Sequence, residues 1–186
     1  MKTVKILNKS SAQQSLHLNI NIDISKLTAF EEQLGKHFKT HVGILGNRNN
    51  RATLSRAGTG KAKVTQNETL ATATNAMIGF VHEFGSYTAK IPERSFLRVP
   101  LMLFLGTAVN EASGKINKAI EMADVARAYA ILGIAAEKVI QEAFATGGNG
   151  SWPKLKSMTI ARKGSSAILI DSGQLRKSIT SKVVEA

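Results

Sequence analysis

The clearest alternation of apolar and polar positions runs through Leu16, Leu18, Ile20, Ile22 and Ile24, with His17, Asn19, Asn21 and Asp23 between them. A period of two puts one set of side chains on each face of an extended chain, so the pattern predicts a half-buried strand. Residues 1–15 hold only the short apolar patch Val4, Ile6 and Leu7 and carry no caps. They predict an edge strand or an N-terminal arm that orders on a neighbour. Ser25 is placed to cap a helix over 26–38, with Leu27, Phe30, Leu34 and Phe38 at helical spacing. Residues 40–46 read as a second strand. Strand, helix and strand with short links predict two strands of one sheet with the helix on one face.

Periodicity stops over 47–68, a stretch rich in Asn, Gly, Thr and Arg. Arg48, Arg51, Arg56, Lys61 and Lys63 lie here, and no acidic residue occurs from Gln33 to Asn67. A loop this long in a compact domain is functional or disordered. It reads either as a solvated mobile loop or as a basic arm that orders against a partner ring or DNA. Helical spacing resumes over 69–84, where Leu70, Ala73, Met77, Phe80 and Val81 fall at steps of three and four, and Gly85 stops the run. A loop over 86–94, closed by Pro92, leads into a helix over about 95–122, with Pro100 in its first turn or kinking it. Asp124 caps a last long helix to 145. Its buried stripe is Val125, Tyr129, Leu132, Ala136, Val139, Ile140 and Phe144, and Gly147 ends it. The alanines of this helix allow close packing against another.

The C-terminal stretch opens with Gly147-Gly148-Asn149-Gly150 and runs into the only tryptophan, Trp152, stiffened by Pro153. A basic run over 154–163 carries Lys154, Lys156, Arg162 and Lys163. An apolar run over 167–170 then meets the turn Asp171-Ser172-Gly173, and Leu175, Arg176 and Lys177 lead to a β-prone tail over 180–184. Asp and Ser side chains cap nearby backbone N–H groups, and Gly accepts positive φ. Trp152 reads either as a core residue beneath a loop or as an interface anchor, since Trp and Arg concentrate contact energy between proteins. Arg176 and Lys177 are solvated turn residues or partners for acidic groups of a next subunit. With no internal repeat and no linker, residues 1–186 read as a single α+β domain. A small antiparallel or mixed sheet packs against two or three long helices, with the basic loop over 47–68 and an interface loop over 147–166.

Composition narrows the partners. At 186 residues and 43% apolar, the chain can bury a genuine core. Cysteine is absent, which removes disulfides, thiolate metal sites and Cys nucleophiles and fits assembly in a reducing cytoplasm. No apolar core of a signal sequence follows the first lysines, and the longest apolar run, Val99–Leu105, is far short of a bilayer span. A net charge of +12 favours nucleic acid, acidic protein surfaces or anionic lipid without choosing among them.

Catalytic constellations are poorly supported. Gly58-Thr59-Gly60-Lys61 resembles a phosphate loop, but Ser55 stands at the first glycine position and Ala62 at the magnesium-holding hydroxyl. His82-Glu83 opens like a zinc-protease helix, yet Ser86 replaces the second histidine. His82 reads instead as a hydrogen-bonded group whose partial positive charge suits a helix C-terminus. Glu83 reads as an ion-pair partner of Arg94 or Arg98 that pins the loop. Asp171 has no second carboxylate in its own motif for acid–base work. No catalytic, cofactor or metal residue is assigned.

Two blocks carry a family resemblance. One is Val81-His82-Glu83-Phe84-Gly85 followed by Ile91-Pro92-Glu93-Arg94-Ser95-Phe96-Leu97-Arg98. The other is the Gly-rich loop, Trp152-Pro153, and Leu169-Ile170-Asp171-Ser172-Gly173 with Leu175 and Arg176 beyond it. Together they resemble the tail-completion and head–tail joining (neck) proteins of tailed bacteriophages, the phage virion morphogenesis proteins. Glu93 and Ser95 depart from that pattern, where smaller residues or proline are expected. The resemblance implies a structural virion protein at the neck or head-proximal tail end, assembled in the host cytoplasm and acting in tail completion or termination. It implies a homo-oligomeric ring, most often a hexamer, that meets neighbouring neck and tail-tube proteins, with DNA a candidate partner in its lumen and no membrane, cofactor or turnover. His82, Glu83, Gly85, Pro92, Asp171, Gly173 and Leu175 would be structural. Arg94, Phe96, Arg98, Trp152 and the basic residues of both loops would be interface groups. The alternative is a basic protein that binds nucleic acid non-specifically through phosphate contacts. A small enzyme is the third reading.

Overall fold

The computed structural model describes residues 28, 31–32, 35–51, 54–55, 63–64 and 73–186. The predicted strand over 16–24, the arm over 1–15 and the phosphate-loop-like segment at Gly58–Lys61 lie outside them. So does most of the basic loop, including Arg56 and Lys61. Thr28, Glu31 and Glu32 are helical, but the chain turns at Gly35 and is already extended by Phe38, where helix was expected.

The architecture is α+β. Strand β1 (Phe38–Ile44) pairs antiparallel with the C-terminal strand β4 (Ile179–Glu185), from Phe38 opposite Glu185 to Ile44 opposite Ile179. A short hairpin of β2 (Leu54–Ser55) and β3 (Lys63–Val64) lies between β1 and the helices in sequence. Among the described residues after β3, five α-helices follow: α1 (Asn75–Phe84), α2 (Arg98–Glu121), α3 (Val125–Thr146), α4 (Ser157–Lys163) and α5 (Gln174–Lys177). The run over 154–163, expected as a loop, is helical in α4, ended by Gly164 at φ 69°.

Helices α2 and α3 form a hairpin through the short turn at 122–124, and α3 also lies against the β1–β4 sheet. Asp124 caps α3 by accepting from the Arg127 N–H at 2.9 Å, and Gly147 ends it in the left-handed conformation. Alanines at 128, 135, 136 and 143 are buried along α3, so its backbone approaches its neighbours closely. At Gly133 the approach leaves no room for a side chain: a Cβ would stand 2.6 Å from Ser181 Oγ and 3.1 Å from Thr40 Cγ2. Thr40 Oγ1 also donates to the Tyr129 carbonyl, fastening sheet to helix.

The main core gathers Phe96, Ile140, Phe144, Trp152, Leu175 and Ile179. Phe144 is its hub, with its ring 5.1 Å from Phe96 and 6.0 Å from Trp152, the latter edge-on. Such aromatic pairs add roughly 0.5–1.5 kcal/mol beyond area burial.

Helix α1 reverses the expected facing. Asn75, Gly79 and Glu83 are its buried residues, while Met77, Phe80 and Phe84 are exposed at 57%, 65% and 54%. It also starts at Asn75 behind the cap Thr74, later than the predicted start at 69. Gly79 explains part of the reversal. A Cβ there would lie 2.7 Å from Ile44 Cδ1 and 3.4 Å from the Phe96 ring, so α1 sits on the core through its smallest residue.

Candidate functional site

Helix α2 begins without a cap of its own: Leu97 is its N-cap residue, no side chain there bonds the first turn, and no acid lies in that turn. Glu83, reaching from the end of α1, supplies what is missing. Its Oε2 accepts from the Phe96 and Leu97 N–H groups at 2.8 and 3.0 Å. Its Oε1 accepts from the Arg98 N–H at 2.9 Å and the Ser95 hydroxyl at 2.6 Å. A buried carboxylate here meets the unpaired donors and the positive end of the helix dipole at once. Ser95 extends the arrangement, its Oγ also accepting from the Val99 N–H at 2.9 Å.

Glu83 therefore does not pair with Arg94 or Arg98. Arg98 is exposed, bridges Glu93 at 2.9 Å and lies 5.7 Å over the Phe84 ring. Arg94 turns to the second block instead. Its Nε and Nη2 donate to the Pro153 carbonyl at 3.0 and 2.9 Å. Trp152 Nε1 donates to the Ser95 carbonyl at 3.0 Å. Distant in sequence, the two blocks meet in one buried junction, and each of these polar groups holds main chain.

Those contacts decide several expectations. Trp152, Phe96 and Arg94 are 7%, 0% and 6% exposed, so they are core and junction groups rather than interface anchors. Gly148 fits Trp152 so closely that a Cβ would overlap the indole. Gly85, at φ 74°, has no room for a Cβ, which would stand 2.9 Å from the Glu93 nitrogen and 3.0 Å from the Ile91 carbonyl oxygen. It starts a tight loop in which Ser86 and Ile91 exchange backbone hydrogen bonds, with Tyr87 fully exposed at its tip and Pro92 exposed just beyond. Gly173 is also left-handed, at the start of α5, and Leu175 is buried.

The basic candidates separate. Lys63 is in β3, and Arg48 is exposed, its Nη1 donating to the Lys177 carbonyl at 3.2 Å. Lys154, Lys156, Arg162 and Lys177 are exposed. Lys163 is buried and its ammonium donates to the Ala167 carbonyl. Arg176 is half-buried rather than solvated, with Nε on Gln141 Oε1 at 2.7 Å while Gln141 returns a bond to the Arg176 carbonyl.

Beside the junction, a cavity of about 480 Å³ opens between α1, α4 and the turn at 169–175. Arg51, His82, Arg94, Arg162, Lys163 and Asp171 contribute its charged and titratable groups. Burial first, then the fields of Arg94, Arg51 and Lys163, lower the His82 pKa from its ordinary value. Burial and these cations favour the neutral imidazole, and its buried Nδ1 has no hydrogen-bond partner among the described residues. Burial also lowers the pKa of Arg51, opposed by the field of Asp171, and that of Arg94. Sequence reasoning had placed Arg51, His82, Arg162 and Asp171 in separate motifs; only the fold brings them together.

Among the described residues no three His, Asp or Glu side chains gather as a metal set, and no helix is long and apolar enough to cross a membrane. Compared with family models, curated proteins and solved structures, the chain has no match in any of the three.

Proposed function

We propose that the chain is a structural protein of a tailed-phage particle. In this reading it assembles as a ring at the head–tail junction or the head-proximal end of the tail and acts in tail completion and head–tail joining. The observation that carries the reading is the reversed helix α1. Its apolar residues Met77, Phe80 and Phe84 stand in solvent, with the Phe80 and Phe84 rings 4.9 Å apart, and Met102 of α2 and Tyr87 are exposed as well. Exposed apolar groups in number mark surfaces that another protein covers. A ring supplies such cover, because each heterologous contact sets one patch on a different patch of the next subunit until the circle closes.

The buried junction supports the same reading. The residues that carry the resemblance to neck proteins meet there, and their polar groups support backbone rather than reacting atoms. The exposed basic residues Arg48, Lys154, Lys156 and Arg162 offer a charged surface to acidic faces of neighbouring rings.

Sedimentation with negative-stain imaging of the purified protein tests the reading. A closed ring is expected, together with antibody label at the necks of virions. A chain that stays monomeric at every concentration and shifts DNA in a salt-sensitive manner would support the nucleic-acid reading instead.

A further inference from the structure

We propose that Tyr87 is a knob that seats in the recess between α2 and α3 of a second copy of this chain. This contact deepens the ring reading and rests on it, since a heterologous ring sets one patch on a different patch of the next subunit.

The knob is shaped in advance. Gly85, with no room for a Cβ, turns the chain out of α1, and Ser86 and Ile91 exchange backbone hydrogen bonds at 2.8 and 2.9 Å. Inside that bridge the Lys90 N–H donates to the Tyr87 carbonyl at 3.1 Å, and the Ala89 N–H donates to Ser86 Oγ at 3.2 Å. These bonds fix the turn and hold Tyr87 fully exposed at its tip. A ring held in water by a rigid turn gains no burial within its own chain. In a partner's recess it buries its area without the ordering cost of a mobile loop.

The recess matches it in size and chemistry. Its volume is about 170 Å³, below the roughly 300–1,000 Å³ of small-molecule sites, so it suits a single side chain. Phe104 and Ala108 of α2 and Val139 of α3 supply apolar wall for a ring, and Glu142 supplies an acceptor for the phenol O–H. Glu111 and Lys138, bridged at 2.7 Å, tie α2 to α3 across the same lining and hold the walls in place. The turn also carries the exposed Lys90, opposite in charge to the exposed Glu142. A tyrosine entering a packed pocket is the kind of anchor that concentrates contact energy between proteins. Because Tyr87 is fully exposed, it does not fill the recess of its own chain. Both halves of the contact are thus carried by one chain, which favours a second copy over a foreign partner.

The chain has no cysteine, so introduced thiols report this contact cleanly. Thr88→Cys places a thiol beside an intact Tyr87, and Thr107→Cys places one in the recess wall; both positions are exposed. A short bismaleimide added to the mixed variants should join Thr88→Cys chains to Thr107→Cys chains. The yield should be at least tenfold that obtained with Lys115→Cys, an exposed position of α2 outside the recess. Adding Tyr87→Ser to the Thr88→Cys chain should lower the yield tenfold or more, as loss of an anchor does. In sedimentation, Tyr87→Ser and the recess-filling Thr107→Trp should each raise the concentration needed for ring closure tenfold or more. Both sites are exposed, and unchanged melting temperatures check that the fold is kept. Equal cross-linking to Lys115→Cys, or rings unaffected by either variant, would overturn the knob and leave the ring reading standing. A wild-type chain that stays monomeric at every concentration would overturn both.

Discussion

Helices α1 and α3 meet the same core from opposite chemical positions. Helix α3 buries Ala136, Val139, Ile140 and Phe144, an apolar stripe held by its transfer from water. Helix α1 buries Asn75, Gly79 and Glu83 and leaves its aromatics outside. Asn75 Nδ2 donates to the Arg48 and Asn50 carbonyls at 3.1 Å each, while Glu83 caps α2. One helix is held chiefly by what it removes from solvent, the other by the main-chain groups it satisfies together with the smaller core contact of Ile78 and Gly79. Amphipathic spacing locates the inner face of the first kind only.

Substitutions can break that contrast. Phe144→Ala should cost about 3–5 kcal/mol, as large-to-small core changes do. Glu83→Ala should come close, at roughly 3 kcal/mol, because several buried N–H donors lose their acceptor together. Urea unfolding followed by the emission of Trp152 measures both, and a Glu83→Ala cost below about 1 kcal/mol would end the claim that α1 acts through capping. Next in size is Trp152→Phe, which keeps an aromatic ring but strands the buried Ser95 carbonyl, at about 1–2 kcal/mol; this variant has no tryptophan, so its urea unfolding is followed by far-UV circular dichroism. Phe80→Ser with Phe84→Ser should change monomer stability by no more than about 1 kcal/mol, since both side chains are exposed. The same pair should abolish ring formation in sedimentation. A folded double variant that still closes into rings would remove the aromatic face from the interface.

The smallest expected effect is a pH dependence centred on His82. Its folded pKa lies below the unfolded value, so the unfolded chain takes up the proton first as pH falls. The stability that depends on neutral His82 is complete above the ordinary histidine pKa and is lost as pH falls through the lower, folded one. The urea midpoint of the wild-type chain should therefore drop between neutral and mildly acidic pH. His82→Leu should flatten that drop.

Much of the frame could be read from residue order. Asp124 and Gly147 bracket α3 as their chemistry requires, Gly85 stops α1, and the β-prone tail is strand β4. These features are local, set by one or two residues and their own backbone. What escaped the sequence depends on approach between distant segments. Glu83 invited pairing with arginine, and its actual partners are backbone donors that exist only once α2 starts at Arg98. One signal was available: Leu97 at the N-cap position of α2 has no side-chain acceptor and Ser95 meets only the Val99 N–H, so acceptors for the other donors had to come from elsewhere. The facing of α1 misled because Gly79 and Asn75 carry no apolar weight, yet small size and amide bonding are what the inner position requires. Trp152 was ambiguous because a glycine approach suits a loop anchor and a close-packed indole equally well. The cationic recess was invisible because its arginines come from segments far apart in the chain.

The pairing of β1 with β4 joins nearly the two ends of the described chain, and this sets an order of events during synthesis. While β1, α1, α2 and α3 have left the ribosome, the groove at Gly133 has no Ser181 to fill it, and the edge of β1 has no β4 beside it. Helices form locally and fast, whereas a contact this far apart waits for its second half. The nascent protein therefore passes through an interval as a helical hairpin with an unmatched strand, when association with other nascent copies competes with its own completion.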